Sequence, residues 1–140
     1  MDEYTLISMI NKYQNGIFDL QELINQKRER IQDLEEFYFK FANMSNEFDD
    51  EINKRSRHIT NVNIRSEECA TLKSYQSMMT SVLNGNKKSL ICQNFVHGKQ
   101  AIADQIEFLE NQIVSLEQRI DSCENTMSDL KIKMNSLKEG

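Results

Sequence analysis

Residues 5–57 read TLISMINKYQNGIFDLQELINQKRERIQDLEEFYFKFANMSNEFDDEINKRSR. Apolar side chains recur here at alternating steps of three and four. Leu6, Ile10, Tyr13, Ile17, Leu20 and Ile24 begin the series, and Ile31, Leu34, Tyr38, Phe41, Phe48 and Ile52 continue it. Only Lys27 and Ser45 interrupt it. A half-buried strand would alternate with period two, so this spacing predicts a helix over about 5–57. Such a helix would run roughly 80 Å at about 1.5 Å per residue. Gly16 lies beside the seam and is tolerated there at a cost of about 1 kcal/mol. A seven-residue repeat held this long implies that the stripe packs along a second helix.

The last third of the chain supplies a matching stripe. Ile106, Ile113, Ile120, Met127 and Met134 fill one seam position, and Ile102, Leu109, Leu116, Cys123, Leu130 and Leu137 fill the other. Cys92 and Phe95 extend the register backward, which predicts a second long helix over about 88–138. Two helices of near-equal length can zip antiparallel and cover each other's stripe.

Between them the signals weaken. The stretch His58-Ile59-Thr60-Asn61-Val62-Asn63-Ile64 is rich in β-branched residues and Asn, and predicts a loop over about 58–65. Ser66 followed by Glu67 and Glu68 reads as a capped helix start. Cys69, Leu72, Tyr75, Met79 and Val82 then form a short amphipathic stripe, so a helix is expected over about 66–83. Asn84-Gly85-Asn86 predicts a turn over 84–87. The fold class that follows is all-α: an elongated, coiled-coil-like antiparallel helical hairpin with a short middle helix, in one domain spanning 1–140.

Composition agrees with that reading. The 140 residues include no Pro, no Trp and only 4 Gly, where an average chain of this length would carry about seven Pro and about ten Gly. Helix breakers are therefore nearly absent. A 39% hydrophobic content beside 28% charge suits thin bundles that bury one stripe per helix. Net charge is −5, which disfavours nucleic acid as a partner because phosphate contacts need a clustered cationic face. No apolar run approaches the roughly 20 residues that span a bilayer. The start Met1-Asp2-Glu3-Tyr4 is acidic where a secretory leader is basic and then apolar, so a cytoplasmic location is expected. The acidic run Glu47, Asp49, Asp50 and Glu51 reads foremost as a solvated face.

Little in the chain points to covalent chemistry. The two histidines, His58 and His97, have no nucleophile or carboxylate at a spacing that makes a triad. Cys69, Cys92 and Cys123 fall on apolar stripes, where a thiol serves as a small hydrophobe, and no Cys-x-x-Cys or Glu-x-x-His pair offers a metal set. The glycines Gly16, Gly85, Gly98 and Gly140 are too far apart for a phosphate loop. We therefore expect no catalytic residues, no metal and no cofactor, and a protein that is not an enzyme.

The aromatic cluster Phe37, Tyr38, Phe39 and Phe41 suggests contact instead. Tyr38 and Phe41 are in seam register, whereas Phe37 and Phe39 fall on the flanks. They either widen the core against the short middle helix or anchor a helical partner. Lys27 has a similar choice: its stem lies along the seam, or its charge sets register against a partner. Candidate partner-binding residues are thus Phe37, Phe39 and Phe41 on the aromatic flank, with Asn84, Gly85 and Asn86 at the turn.

The run Ser81-Val82-Leu83-Asn84-Gly85-Asn86, followed by Phe95-Val96-His97-Gly98-Lys99-Gln100-Ala101-Ile102 and by Ile106-Glu107-Phe108-Leu109-Glu110, resembles the YwqH-like family. A helix with the spacing of Leu20 to Leu34 is also familiar there. These are small helical proteins encoded beside LXG polymorphic toxins in Gram-positive bacteria. The resemblance covers most of the chain in architecture and about 30 residues in wording. It implies a helper that binds the helical LXG domain of a toxin and accompanies it to a type VII secretion machine. A second small helical helper could join the complex, and the chain itself could be exported with its client. The Trp-x-Gly turn of the wider superfamily is absent here, and the nearest export-like string is Phe18-Asp19-Leu20-Gln21-Glu22. A partner would then supply the export signal, or this chain would act only as a stabilising chaperone.

Two other classes stay open at this point. One is a general cytoplasmic export chaperone of the FlgN-like kind. The other is a structural coiled coil that self-assembles, since Ile at one seam position with Leu at the other favours parallel two-stranded coils.

Overall fold

The computed structural model describes residues 2–61 and 70–139 of the chain. Three helices follow in order: α1 over Glu3–Thr60, α2 over Ala70–Asn84 and α3 over Asn86–Glu139, with no strand among the described residues. The protein is an all-α helical hairpin with a short middle helix, as the two seams predict.

Asp2 caps α1. Its Oδ1 accepts from the Thr5 backbone N–H at 2.7 Å, satisfying one of the donors that a helix start leaves over. Hydrogen bonding from the Thr5 side chain, and then from its backbone N–H, holds the Asp2 carboxyl below the usual carboxylate range. At the other end, α1 passes the expected stop at Arg57 and reaches Thr60. The first residues of the predicted 58–65 loop are therefore helical, and 62–65 lie outside the described residues. The reason is that polar groups near the end satisfy its last carbonyls. The Asn61 N–H donates to the Arg57 carbonyl at 3.0 Å, and Gln76 Nε2 donates from α2 to the Ile59 carbonyl at 2.6 Å. β-Branched residues that weaken an isolated helix are thus tolerated when its terminal acceptors are paired.

The predicted start of α2 at Ser66, with Glu67 and Glu68, lies outside the described residues, as does Cys69. The expected four-residue turn 84–87 is in fact a single bend at Gly85. Asn84 remains helical, with its Nδ2 donating to the Thr80 carbonyl at 3.1 Å and to Ser56 Oγ at 3.0 Å. Ser89 N–H donates to the Gly85 carbonyl at 3.2 Å, which opens α3 two residues earlier than expected. Gly85 is required by space rather than by a left-handed backbone. Its φ is not positive, yet a Cβ there would stand 2.5 Å from the Ser81 carbonyl oxygen.

The chain forms two compact units. The first joins Met1–Leu34 to Gln105–Gly140, and the second is Glu35–Asp104. In the first unit α1 and α3 run antiparallel. Ile17, Leu20 and Ile24 pack with Ile113, Leu116 and Ile120, and Leu6 and Ile10 pack with Leu130. Ion pairs flank the seam, Arg28 to Glu117 at 3.1 Å and Lys138 to Glu3 at 3.6 Å. Both are solvent-exposed and contribute at most about 1 kcal/mol.

Lys27 lies within this unit's seam, half-buried, and its Nζ donates to Gln112 Oε1 at 3.0 Å. A parallel dimer built on the same stripe would set Lys27 against its own copy. Like charges facing each other in a seam are unfavourable, whereas the antiparallel hairpin offers a neutral acceptor. The Ile/Leu seam pattern is thereby steered away from the parallel pairing it would otherwise favour.

In the second unit α1 and α3 are again antiparallel, but the packing is aromatic. Phe41 meets Phe95 with ring centroids 5.2 Å apart, and Phe48 meets Phe95 at 6.0 Å. Among the described residues, Ile102 is the only buried apolar side chain of this unit. It therefore has far less hydrophobic stabilisation to hold it closed.

Candidate functional site

The second unit contains all six residues singled out above as partner-binding. On α1, Phe37 is 53% exposed and Phe39 68% exposed. Phe37 stacks on Phe41 at 6.0 Å, and Phe39 meets Tyr38 edge-on at 6.3 Å. Phe41 is half-buried, engaged with Phe95 and laid over Gly98. The three phenylalanines thus divide. Phe37 and Phe39 present apolar surface to solvent, whereas Phe41 belongs to the intramolecular packing.

Asn84 and Gly85 are occupied by the bend itself, through the contacts to Ser56, Thr80 and Ser89 described above, and Asn86 opens α3. Asn84 touches α1 at Ser56, fifteen residues beyond Phe41, which is roughly 22 Å along a helix. The aromatic flank and the turn are therefore two separate places rather than one site.

A feature that the periodicity did not single out lies on α2. This helix turns polar side chains toward α1, through Gln76 to the Ile59 carbonyl and Asn84 to Ser56. On the same helix Met79 and Leu83 are half-buried toward α1, whereas Leu72, Tyr75, Met78 and Val82 are each 50–58% exposed. The helix carries a single charge, Lys73. Beside it an open groove of about 780 Å³ separates α2 from the end of α1. Ile59, Met79 and Leu83 supply its apolar lining, and Lys54, Arg57, His58 and the Glu51–Arg55 pair its polar edge. The sequence did hold a signal for this place, namely an apolar stripe on a helix with almost no charge. What was missing was which face would be turned inward.

The acidic run near the end of α1 is only partly solvated. Glu51 accepts from Arg55 Nε at 2.8 Å, and that contact lowers its carboxyl below the usual range. Asp49 is half-buried and accepts from the Cys92 thiol at 3.5 Å. Burial, then the Asp49 carboxylate, pushes the Cys92 thiol above its ordinary value. Because the thiolate is the nucleophile, Cys92 is expected to alkylate slowly at pH 8–9. Asp49→Asn removes the negative neighbour, so the thiol pKa should fall and the reaction quicken. Peptide mapping after iodoacetamide treatment across a pH series measures both effects; an unchanged profile in the variant would show that Asp49 exerts no control.

Among the described residues no three His, Cys, Asp or Glu side chains come together as a metal site. No described helix is long and apolar enough to cross a membrane. The chain matches no family model, no curated protein and no solved structure.

Proposed function

We propose that this protein is a non-enzymatic helical helper that docks side by side on a helical client, namely the LXG domain of a toxin destined for type VII secretion. The observation that carries this reading is surplus apolar surface. The hairpin helices already cover each other's seams, yet Phe37, Phe39, Leu72, Tyr75 and Met78 remain more than half exposed or nearly so. Exposed apolar groups on a small protein, here one pair on α1 and a second set on α2, mark places where another molecule packs. The resemblance to the YwqH-like family supplies the class of client. Binding would be helix-to-helix packing, with aromatic and Met anchors and no covalent step. Such packing shields an apolar stripe on the client until it is handed on.

Co-expression with the reading frames adjacent to its gene, followed by size-exclusion chromatography with light scattering, tests the reading. The expected result is a stoichiometric complex with a long helical protein. A lone species near 16.4 kDa, or a homo-oligomer of that mass, in the presence of every neighbour would overturn it.

A further inference from the structure

The charge of this chain is strongly segregated. From residue 52 to 98 the sequence has seven Lys or Arg and two Asp or Glu. With 17 basic and 22 acidic residues in all, that segment is +5 and the remainder −10. Both acids of the segment, Glu67 and Glu68, lie outside the described residues. The described part carries Lys54, Arg55, Arg57, Lys73, Lys87 and Lys88 and no acid. These cations belong to α2, to the end of α1 and to the start of α3. They therefore accompany the one helix whose apolar face is turned outward.

From these observations we infer that α2 and its adjoining groove are the docking site for an amphipathic helix with acidic flanks. This rests on the helper reading above and names the partner's chemistry. Leu72, Met79 and Leu83 follow at helical spacing, and Tyr75 is one turn before Met79, so the exposed face of α2 is continuous with the apolar lining of the groove. A partner helix laid there buries its apolar stripe on that lining. Its acidic flanks then meet Lys54, Arg57 and Lys73. Charges so placed select partners and speed encounter more than they add affinity. A second copy of this chain fits less well. Two α2 faces brought together would juxtapose Lys54, Arg57 and Lys73 with their own copies, and the acid in the groove, Glu51, is already paired with Arg55, so like charges in contact disfavour association.

The test uses the full chain and two synthetic helical peptides of about three heptads, with identical Leu seams and either Glu or Lys on the flanks. Titration followed by fluorescence anisotropy should show the Glu-flanked peptide binding about tenfold tighter at low salt, with the gap narrowing as salt rises. Lys54→Glu with Arg57→Glu should reverse the preference, an outcome that misfolding cannot imitate. Leu72→Ser with Tyr75→Ser should weaken binding about tenfold while leaving helical circular dichroism unchanged.

Equal affinity for both peptides overturns the proposal, as does indifference to Leu72→Ser with Tyr75→Ser. Preferential co-sedimentation with phosphatidylserine vesicles would assign the face to a membrane surface. A doubled mass abolished by the same two substitutions would assign it to a second copy. The two readings fail separately. A client complex that survives both double variants sinks this site and leaves the helper function standing. Peptide binding without any client complex does the reverse.

Discussion

Ile24→Ala is expected to lower the free energy of unfolding by about 3 kcal/mol. Ile24 is 4% exposed and packs in the cluster formed with Ile17, Leu20, Ile113, Leu116 and Ile120. The loss combines the transfer free energy of the missing carbons with the cavity left in a seam only two helices thick. Neighbouring Ile and Leu side chains on a rigid helix can close that gap only in part. For a chain of this size the midpoint of thermal unfolding should fall by roughly 9 °C. Ile132→Ala is the control: at 63% exposure it should change stability by less than about 0.5 kcal/mol. Circular dichroism melts of the two variants check both values, and equal losses would show that the seam does not hold the first unit together.

Gly98→Ala is the second large expectation, and its sign is unusual. Gly to Ala within a helix ordinarily stabilises by about 1 kcal/mol. At Gly98 the added Cβ would stand 2.6 Å from Phe41 Cζ and 2.7 Å from Cε1. Phe41 cannot swing away freely, because it lies between Phe37 and Phe95. Displacing the ring disturbs the aromatic packing that holds α1 to α3 in a unit with little other burial. The overpacking cost exceeds the propensity gain, and a net loss of about 1–2 kcal/mol is expected. Gly16→Ala shows the opposite case. Nothing stands within 4 Å of a Cβ at that position, so the same change should stabilise by about 1 kcal/mol. Combining Gly98→Ala with Phe41→Leu should recover part of the loss, since the shorter side chain vacates the contested space. Urea unfolding of the variants reads these differences directly; a stabilised Gly98→Ala would mean that the ring yields without cost.

The two glycines also show where sequence reasoning stops. Gly16 and Gly98 are alike in primary structure, each a lone glycine in a long helical pattern. Only the position of Phe41 across the hairpin separates a replaceable residue from one that makes room for a ring. The same holds for Gly85, which reads as a conventional helix stop yet is needed because the Ser81 carbonyl approaches closely, with no positive φ.

Candidate contact residues were legible to a similar degree. Phe37 and Phe39 could be placed on flanks by counting residues, because helical spacing alone assigns a direction relative to the seam. That Phe41 would be held by Phe95 and Gly98 followed only from the pairing of the two helices. The stripe on α2 was visible as Leu72, Tyr75, Met79 and Val82, but an amphipathic stripe ordinarily faces inward. Here Gln76 and Asn84 bind α1 through hydrogen bonds, Met79 is half-buried beside the groove, and Leu72, Tyr75 and Val82 are left exposed.

Local order was therefore written into the chain. Unbroken three-four spacing over two long stretches, with no Pro, commits those residues to helices, because backbone sterics and side-chain period act between near neighbours. Antiparallel pairing was legible from equal stripe lengths, and the Lys27 to Gln112 contact gives it a physical reason. The ends of the helices, the single-residue bend and the outward face of α2 were decided in three dimensions. The end of α1 and the seating of α2 depend on polar groups meeting across elements, as Gln76 does at Ile59 and Asn84 at Ser56, and no local pattern encodes such a meeting.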